Sequence, residues 1–354
     1  MNLYNNQQFV DDICSTFLQI NQWDRLTNSN VLISGSTGLI GSFLIDVVLE
    51  KNQQDGLNCT VYALGRSEEK ARNRFSKYCN DPHFVFIPYD VKEPLDYSDN
   101  HTFDYIIHLA SNTHPMLYAT DPIGTITTNI IGLQNLLEFA VKHNTTRFVF
   151  ASSNEIYGEN RGDIELFDEE YCGYINCNTL RAGYPESKRC GEALCQAYIA
   201  QKNLDVVIAR ITRSYGPTMQ MSDTKAISQF IKKGIAGEDI VLKSAGTQYY
   251  SYTYVADAVS GLLWAMLAGE KGEAYNIADE QSDIMLKDLA QMIAEMNGRK
   301  VVFEIPDATE AAGYSKATKA RLDGSKLRKL GWEPKYDIKT GLERTIQILK
   351  SINP

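Results

Sequence analysis

Residues 31–41 read Val31-Leu32-Ile33-Ser34-Gly35-Ser36-Thr37-Gly38-Leu39-Ile40-Gly41. The first four residues form an apolar run typical of a buried strand, and a helical pattern follows the glycines. Glycines in this context let the backbone turn tightly and approach a pyrophosphate, which binds at the N-terminus of the following helix. A plain glycine-rich turn is the alternative. The strand before it favours a dinucleotide-binding site formed by all seven residues from Gly35 to Gly41.

Strand-like and helix-like segments alternate after this turn. Apolar strand runs cover residues 60–64, 84–87, 105–109, 147–152 and 206–211, and the longest helical patterns cover residues 123–143 and 186–202. This alternation predicts an α/β fold, a Rossmann-type doubly wound parallel sheet. Its binding crevice is expected at the carboxyl ends of the strands.

The character of the chain changes after Gly216-Pro217, where polar helical stretches and a tyrosine-rich strand begin. We therefore expect a smaller C-terminal, substrate-binding lobe made of residues 215–250 and 279–354. The Rossmann domain is expected to cover residues 29–214 together with 251–278. Residues 1–28 have an amphipathic pattern and are predicted to form a helical extension.

Composition excludes several classes of partner. The 354 residues carry a net charge of -9 and no basic run, which argues against nucleic acid and anionic membranes. No apolar run approaches the roughly 20 residues of a membrane span. The seven cysteines are scattered without a C-x-x-C pair, and histidine is scarce near them. We expect no metal site, no export signal and a reducing, cytoplasmic location.

The next two strand ends carry further candidate cofactor residues. Where many NAD-binding Rossmann folds have an acid for the ribose hydroxyls, this chain has Gly65-Arg66-Ser67. A guanidinium holds a 2′-phosphate well, so Arg66 and Ser67 favour NADP(H) over NAD(H); an exposed surface arginine is the alternative. Asp90, followed by Val91, is a candidate acceptor for the adenine amine or a strand-end turn residue.

An acid–base constellation follows from Tyr184-Pro185-Glu186-Ser187-Lys188. Residues four apart share one face of a helix, so Tyr184 and Lys188 are neighbours. A free tyrosine has a pKa near ~10, and a nearby ammonium together with a nicotinamide cation is expected to lower it. Ser152-Ser153 ends a strand and brings a hydroxyl to the same crevice, which makes a Ser–Tyr–Lys trio plausible.

These motifs, in this order, make the chain resemble the extended short-chain dehydrogenases of the NAD-dependent epimerase/dehydratase family. The resemblance covers about residues 30 to 278 and also includes H-L-A-S (108–111), S-S-N-E-I-Y-G (152–158), S-Y-G-P (214–217) and Y-V-A-D (254–257). It implies that Ser153 is the catalytic hydroxyl, that Tyr184 is the acid/base and that Lys188 binds the nicotinamide ribose. It also implies that Leu109, Ala110 and Ser111 line the cofactor, with Asn129 in the helix behind them.

Two positions depart from relatives whose reactions are known. Sugar-nucleotide 4,6-dehydratases carry an Asp as general acid where this chain has Asn154, and an amide cannot donate a proton in that way. The chain is similar to UDP-glucuronate decarboxylases around His108–Ser111, Ser153 and Glu155. However, those enzymes carry an arginine for the anionic part of the substrate where this chain has Tyr250, which puts decarboxylation in doubt. Asn154 and Tyr250 are themselves candidate substrate contacts.

Four further residues are candidate substrate contacts, each with a structural alternative. Arg213 stands where N-x-Y-G-P motifs have Asn, and it is expected to bind the substrate diphosphate unless it is a packing or salt-bridging arginine. Glu155 is expected to orient the sugar or to bind local backbone. His114 lies in the loop over the sugar site, where it contacts the sugar or forms hydrogen bonds within the loop. Lys225 is a solvated lysine or a contact to phosphate or base.

The leading prediction is an NADPH-dependent reductase of a keto group in a nucleotide-linked sugar. The stretch S-D-T-K-A-I-S-Q-F-I (222–231) resembles a bacterial subgroup that acts on cytidine-linked sugars for surface polysaccharide. An NAD-dependent epimerase or decarboxylase that recycles its hydride is the first alternative, and a non-catalytic dinucleotide-binding regulator is the second. Relatives dimerise through two helices per subunit, so a homodimer through residues 123–143 and 186–202 is expected.

Overall fold

The computed structural model describes residues 3–97, 102–314 and 318–352. Its strands are β1 (Asn30–Ser34), β2 (Thr60–Gly65), β3 (Phe84–Pro88), β4 (Tyr105–His108), β5 (Arg147–Ser153), β6 (Val206–Ile211), β7 (Arg213–Tyr215), β8 (Ile240–Leu242), β9 (Tyr249–Tyr254), β10 (Ala274–Ile277), β11 (Asp283–Met285), β12 (Val301–Phe303) and β13 (Lys319–Ala320). Its helices are α1 (Gln7–Leu18), α2 (Leu39–Asp55), α3 (Glu68–Arg74), α4 (Pro115–Thr120), α5 (Pro122–Lys142), α6 (Gly183–Lys202), α7 (Ala226–Ile235), α8 (Val255–Ala268), α9 (Leu286–Met296), α10 (Ala308–Gly313), α11 (Ser325–Arg328) and α12 (Ile338–Ile352).

The central sheet has seven parallel strands in the order β10-β6-β5-β4-β1-β2-β3. Its apolar runs are buried on both faces, and all six residues of β6 are buried. The sheet extends from β1 to β2 and β3 on one side and from β4 to β5 and β6 on the other. The loops that follow β1 and β4 therefore diverge and leave a crevice at the carboxyl ends of these strands. The predicted Rossmann-type parallel sheet is thus confirmed.

The N-terminal segment packs against the body of the molecule. Helix α1 lies against α2 and α8, and its apolar face buries Phe9, Ile13 and Phe17. Asp12 on the same helix is fully buried and accepts hydrogen bonds from Tyr254 and from Arg344 of α12, both at 2.6 Å. A buried carboxylate with these partners ties the first helix to the last.

A second, smaller set of strands lies beyond the carboxyl edge of the main sheet. Strand β9 is paired with β11, β13 and β7, and β8 is paired with β12. Residues 255–268 and 274–277, in contrast, form α8 and β10 of the main body. The tyrosine-rich strand was predicted over residues 248–255 and is observed as Tyr249–Tyr254. The assignment of residues to two domains remains a prediction.

Candidate active site

The glycine turn lies between β1 and α2, at the switch point of the sheet. Gly35 has φ +69°, and a Cβ there would come within 2.8 Å of the Ala110 nitrogen. A Cβ on Gly41 would lie 2.5 Å from the Gly35 oxygen. No side chain caps α2, so its first amide groups point into the crevice without a side-chain partner. The glycines therefore permit both the turn and the close approach of the β4 loop.

A continuous groove runs from this turn across the strand ends, and we name it the cofactor cleft. It is lined by predicted residues of the turn, of the β2 and β3 ends and of the β4 loop: Gly35, Thr37, Gly38, Leu39, Ile40, Gly41, Arg66, Asp90, Val91, Leu109, Ala110 and Ser111. Arg66 is exposed at its end. The side-chain oxygen of Asp90 accepts a hydrogen bond from the Lys92 amide at 3.1 Å.

Three residues predicted to bind the cofactor do not line this cleft. The Ser36 hydroxyl donates to the Leu64 oxygen at 2.8 Å and joins the turn to β2. The Ser67 hydroxyl accepts from the Lys70 amide and caps α3. Asn129 accepts from the Ser111 hydroxyl at 2.6 Å and donates to Ser187 at 2.8 Å. These side chains hold the walls of the cleft and link them to α6.

The predicted catalytic trio meets at one end of the cofactor cleft. Ser153 ends β5, Tyr184 lies in the first turn of α6 and Lys188 lies one turn later; all three are buried and line the cleft. The Lys188 ammonium donates to the Ala151 oxygen at 2.8 Å and lies 4.8 Å from the centre of the Phe150 ring. The Ser153 hydroxyl and the Tyr184 phenol therefore lie beside the same end of the cofactor cleft.

The lowered pKa predicted for Tyr184 is not observed in the protein alone. Burial raises the pKa of Tyr184 to about 12, and the Glu155 carboxylate acts in the same direction; a hydrogen bond with Ser153 and the charges of Arg181 and Arg213 oppose the rise. Lys188 is not among these influences, and burial lowers its own pKa to about 8. The prediction counted the charges of the lysine and of a bound nicotinamide ring, and it did not count the desolvation that both side chains undergo. The part that depends on the nicotinamide ring stays a prediction.

Two residues beside Tyr184 were not identified from the sequence. The Tyr118 ring stacks on the Tyr184 ring with 4.8 Å between centroids. The Arg181 guanidinium lies over Tyr118 at 4.6 Å and donates to both oxygens of Glu155, at 2.7 and 2.6 Å. The position of Arg181, three residues before Tyr184, was the available signal. Glu155 is therefore an ion-paired carboxylate and not a backbone-bound one.

A second cavity adjoins the cofactor cleft on the side of the smaller strands, and we name it the lobe cavity. Glu155, Arg213 and Lys225 line both spaces, whereas Tyr250 lines the lobe cavity and Asn154 the cleft. The lobe cavity continues past apolar residues of α7, β8 and β9, namely Ile227, Phe230, Leu242 and Tyr252. The predicted substrate residues thus surround the junction between the two spaces.

The segment Thr218–Lys225 crosses the cofactor cleft, and we name it the strap. The Thr218 hydroxyl donates to the Leu39 oxygen at 2.8 Å, and the Gln220 amide donates to the Thr37 oxygen at 3.2 Å. At the other side Asp223 lies 3.2 Å from His114 and also binds the Lys225 ammonium at 2.6 Å. His114 and Lys225, both predicted to contact substrate, are therefore joined through one buried carboxylate.

Within residues 3–97, 102–314 and 318–352, no group of three or more His, Cys, Asp or Glu side chains is arranged to hold a metal ion. In the same part of the chain, no helix has the length and apolar character needed to cross a membrane.

Comparison with known proteins identifies the family. The model of the NAD dependent epimerase/dehydratase family matches residues 31–278. The chain belongs to this family. It is 32% identical over 317 residues to UDP-glucuronic acid decarboxylase 5 of Arabidopsis thaliana. These residues make up 89% of this chain and 88% of the relative. The resemblance read from the motifs is confirmed, and the chain is an enzyme of the NAD-dependent epimerase/dehydratase family.

Solved structures of other proteins share the fold of this family member. A dTDP-glucose 4,6-dehydratase of Streptomyces venezuelae with bound NAD has a TM-score of 0.79 at 24% identity, over 91% of this chain and 97% of that one. A UDP-glucuronic acid 4-epimerase of Bacillus cereus, in complex with UDP-glucuronic acid and NAD, has a TM-score of 0.75 at 22% identity, over 91% and 99%. The likeness extends well beyond the matched family region.

The dinucleotide that the family name implies fits the cofactor cleft. The uncapped N-terminus of α2 offers amide groups to a pyrophosphate, and only glycines at 35 and 41 leave room for the turn that forms it. When bound, NAD+ supplies a hydride acceptor and a positive charge. Tyr184 and Ser153 lie at the end of the cleft where that acceptor is needed, and Lys188 lies beneath them.

Proposed function

We propose that this enzyme oxidises a ring hydroxyl of a nucleotide-linked sugar with a retained NAD+, which would accept the hydride and give it back to the sugar in the same turnover. The observation that carries the proposal is the position of the Tyr184 and Ser153 hydroxyls in the cofactor cleft, next to its junction with the lobe cavity. A nucleotide-linked sugar bound across the junction would put its sugar beside these hydroxyls. Tyr184 then takes the proton of the sugar hydroxyl, and Ser153 stabilises the shared hydrogen bond.

Within this scheme we propose decarboxylation of a nucleotide-linked uronic acid. The support is the set of relatives named UDP-glucuronic acid decarboxylases, which include one 33% identical across 87% of its length. Oxidation at C4 makes a ketone β to the carboxylate on C5. The bond to the carboxyl carbon then breaks, CO2 leaves, and the electron pair left on C5 takes a proton before hydride returns to C4. These relatives favour this alternative over the NADPH-dependent reduction predicted first.

The charge of Arg66 and the proposed reaction favour different cofactors. Arg66 is exposed at the cleft end, where it can meet a 2′-phosphate, and it still favours NADP(H) by the argument from charge. An enzyme that recycles its hydride consumes neither NADH nor NADPH, so it does not need to distinguish between the two. The neighbouring structures contain NAD. We therefore propose retained NAD+, to be checked by mass spectrometry of the cofactor released from denatured protein.

The test uses the purified protein without added cofactor. UDP-glucuronic acid, and its CDP counterpart in parallel, are expected to give CO2 and a nucleotide-linked pentose with no net change in nicotinamide absorbance. Tyr184→Phe is expected to lower turnover by about 10²- to 10⁴-fold while retaining the bound cofactor. A requirement for added NADPH, consumed in proportion to a keto-sugar nucleotide, would instead establish the reductase. Epimerised product without CO2 would establish the epimerase.

A further inference from the structure

Arg213 and Tyr250 form a stacked pair at the junction of the cofactor cleft and the lobe cavity. The guanidinium carbon lies 3.6 Å from the centre of the Tyr250 ring. Register explains the contact, because Arg213 of β7 is opposite Tyr252 of β9, and Tyr250 lies two residues before it on the same face. Stacking on the ring fixes the guanidinium plane and leaves its N–H edges available for hydrogen bonds.

The charge of Arg213 is not neutralised by its surroundings. Its Nη1 is buried without a hydrogen-bond partner, and within the described residues no carboxylate forms an ion pair with it. Arg181, the nearby cation, also has a buried nitrogen without a partner, its Nε, but its charge is paired with both oxygens of Glu155. A buried donor without a partner costs free energy that a ligand can recover. The arrangement calls for an anionic group of the substrate at Arg213.

The position of Arg213 distinguishes between the two anionic groups of a nucleotide-linked uronic acid. Arg213 lines the cofactor cleft together with Glu155 and Tyr184. The reacting C4 is bonded to C5, which carries the carboxylate, whereas the diphosphate is attached to C1 on the far side of the ring. A cation close to Tyr184 is therefore nearer to the carboxylate than to the diphosphate.

We propose that Arg213, held flat by Tyr250, binds the carboxylate of an acidic sugar and selects it over neutral sugars. This inference rests on the proposed function, since it places a nucleotide-linked sugar at the junction. It also joins two departures noted in the sequence: the cation missing at Tyr250 is supplied by Arg213 across the strand pair. Arg213 was predicted to bind the diphosphate, and the test separates these two roles.

The experiment measures binding of UDP-glucuronic acid, UDP-glucose and UDP by calorimetry to the holoenzyme carrying Tyr184→Phe, in which turnover of the acidic sugar is slowed. With Arg213 present, this protein is expected to prefer the acidic sugar, and the substitutions at Arg213 are made in the same background. Arg213→Gln should weaken UDP-glucuronic acid by about 10- to 100-fold and the other two ligands by less than about 3-fold. Arg213→Lys should recover only part of the loss, because a lysine cannot reproduce the stacked, planar donor. Arg72→Gln, which removes an exposed guanidinium, is the matched control.

Each outcome has a distinct meaning. Equal weakening of all three ligands would overturn the proposal and assign Arg213 to the diphosphate. Unchanged binding of UDP-glucuronic acid, or no preference for it with Arg213 present, would also overturn the proposal. Selective binding that depends on Arg213, without CO2 release by the native enzyme, would leave this inference standing and refute decarboxylation. Far-ultraviolet circular dichroism of each variant excludes loss of fold as the cause.

Discussion

Lys188 is a residue at which function opposes stability. The residue is 3% exposed, its ammonium donates to the Ala151 oxygen, and burial lowers its pKa to about 8. In the unfolded chain the pKa has its ordinary value of 10.5. Burial of this charge therefore costs free energy of folding. An uncharged side chain of similar length would avoid that cost.

Replacement of this lysine gives a prediction with a defined pH dependence. Lys188→Met is expected to raise the free energy of unfolding at about pH 7 by on the order of 2 kcal/mol. The folded protein binds this proton more weakly than the unfolded chain, so the cost is complete below pH 8 and fades as pH rises toward 10.5. Urea unfolding at both ends of this range measures the difference. Lys271→Met, at an exposed lysine, should show no such trend, and a pH-independent gap would contradict the argument.

At the scale of elements, the β1–α2 turn depends on the absence of a side chain at Gly35. Gly35 and Gly56 have almost the same backbone angle, φ +69° and +66°, but only Gly35 is crowded by the β4 loop. Gly56→Ala is expected to cost about 1–2 kcal/mol from conformation alone. Gly35→Ala should cost about 1–3 kcal/mol more because of overlap with Ala110. Thermal unfolding of the two variants gives the comparison, and equal costs would refute the role of the β4 loop.

The strap, residues 218–225, is a second element whose effect can be measured. It is hydrogen-bonded to the glycine turn through Thr218 and Gln220 and to α4 through the Asp223–His114 contact. Burial alone would raise the pKa of Asp223, but the hydrogen bonds from His114 and Lys225 and the lysine charge hold it well below its usual range. The carboxylate therefore stays ionised at neutral pH and keeps both sides of the strap fixed.

Loosening the strap is expected to release the cofactor faster. Gln220→Ala and His114→Ala should each raise the dissociation rate of bound dinucleotide by about 10-fold, since each removes one hydrogen bond that closes the cleft. Fluorescence of reduced nicotinamide during competition with excess oxidised cofactor measures the rate. Gln291→Ala on the exposed face of α9 is the control. Release rates equal to that of the control would show that the strap does not retain the cofactor.

At the scale of the whole molecule, the outer faces of α5 and α6 are unlike a solvated surface. Ile123 is 76% exposed and Ile131 is 41% exposed on α5. On α6 the exposed side chains include the small residues Cys190, Ala193 and Ala197. Isoleucines and small residues on adjacent helices suit close packing against another pair of helices, which supports the predicted homodimer.

This interface can be tested by adding charge to it. The double variant Ile123→Glu/Ile131→Glu is expected to convert a dimer into a monomer, because four carboxylates would be brought together in an apolar contact. Multi-angle light scattering at micromolar concentration gives the mass. Leu18→Glu, at a residue of α1 that is 73% exposed, is the control and should remain dimeric. A native protein that is monomeric would refute the prediction.

The sequence by itself determined the features that depend on local backbone rules. The glycines of residues 35–41 predict a turn, and the alternation of strand and helix patterns predicts a parallel sheet. The four-residue spacing of Tyr184 and Lys188 puts them on one helix face. The strand end at Ser152-Ser153 also indicated a hydroxyl at the crevice, and the family resemblance implied that Ser153 is the one that acts. These inferences hold because conformational preference and periodicity act within a few neighbouring residues.

Only the tertiary structure decided how distant charges pair and which of them remain unpaired. Arg181 meets Glu155, and His114 meets Asp223 across 109 residues of chain, while Arg213 lies on the ring of Tyr250 with a buried nitrogen left without a partner. The raised pKa of Tyr184 also follows from burial and not from its helical neighbour. Desolvation and ion pairing depend on which strands and loops are packed together, and no local pattern in the chain encodes that.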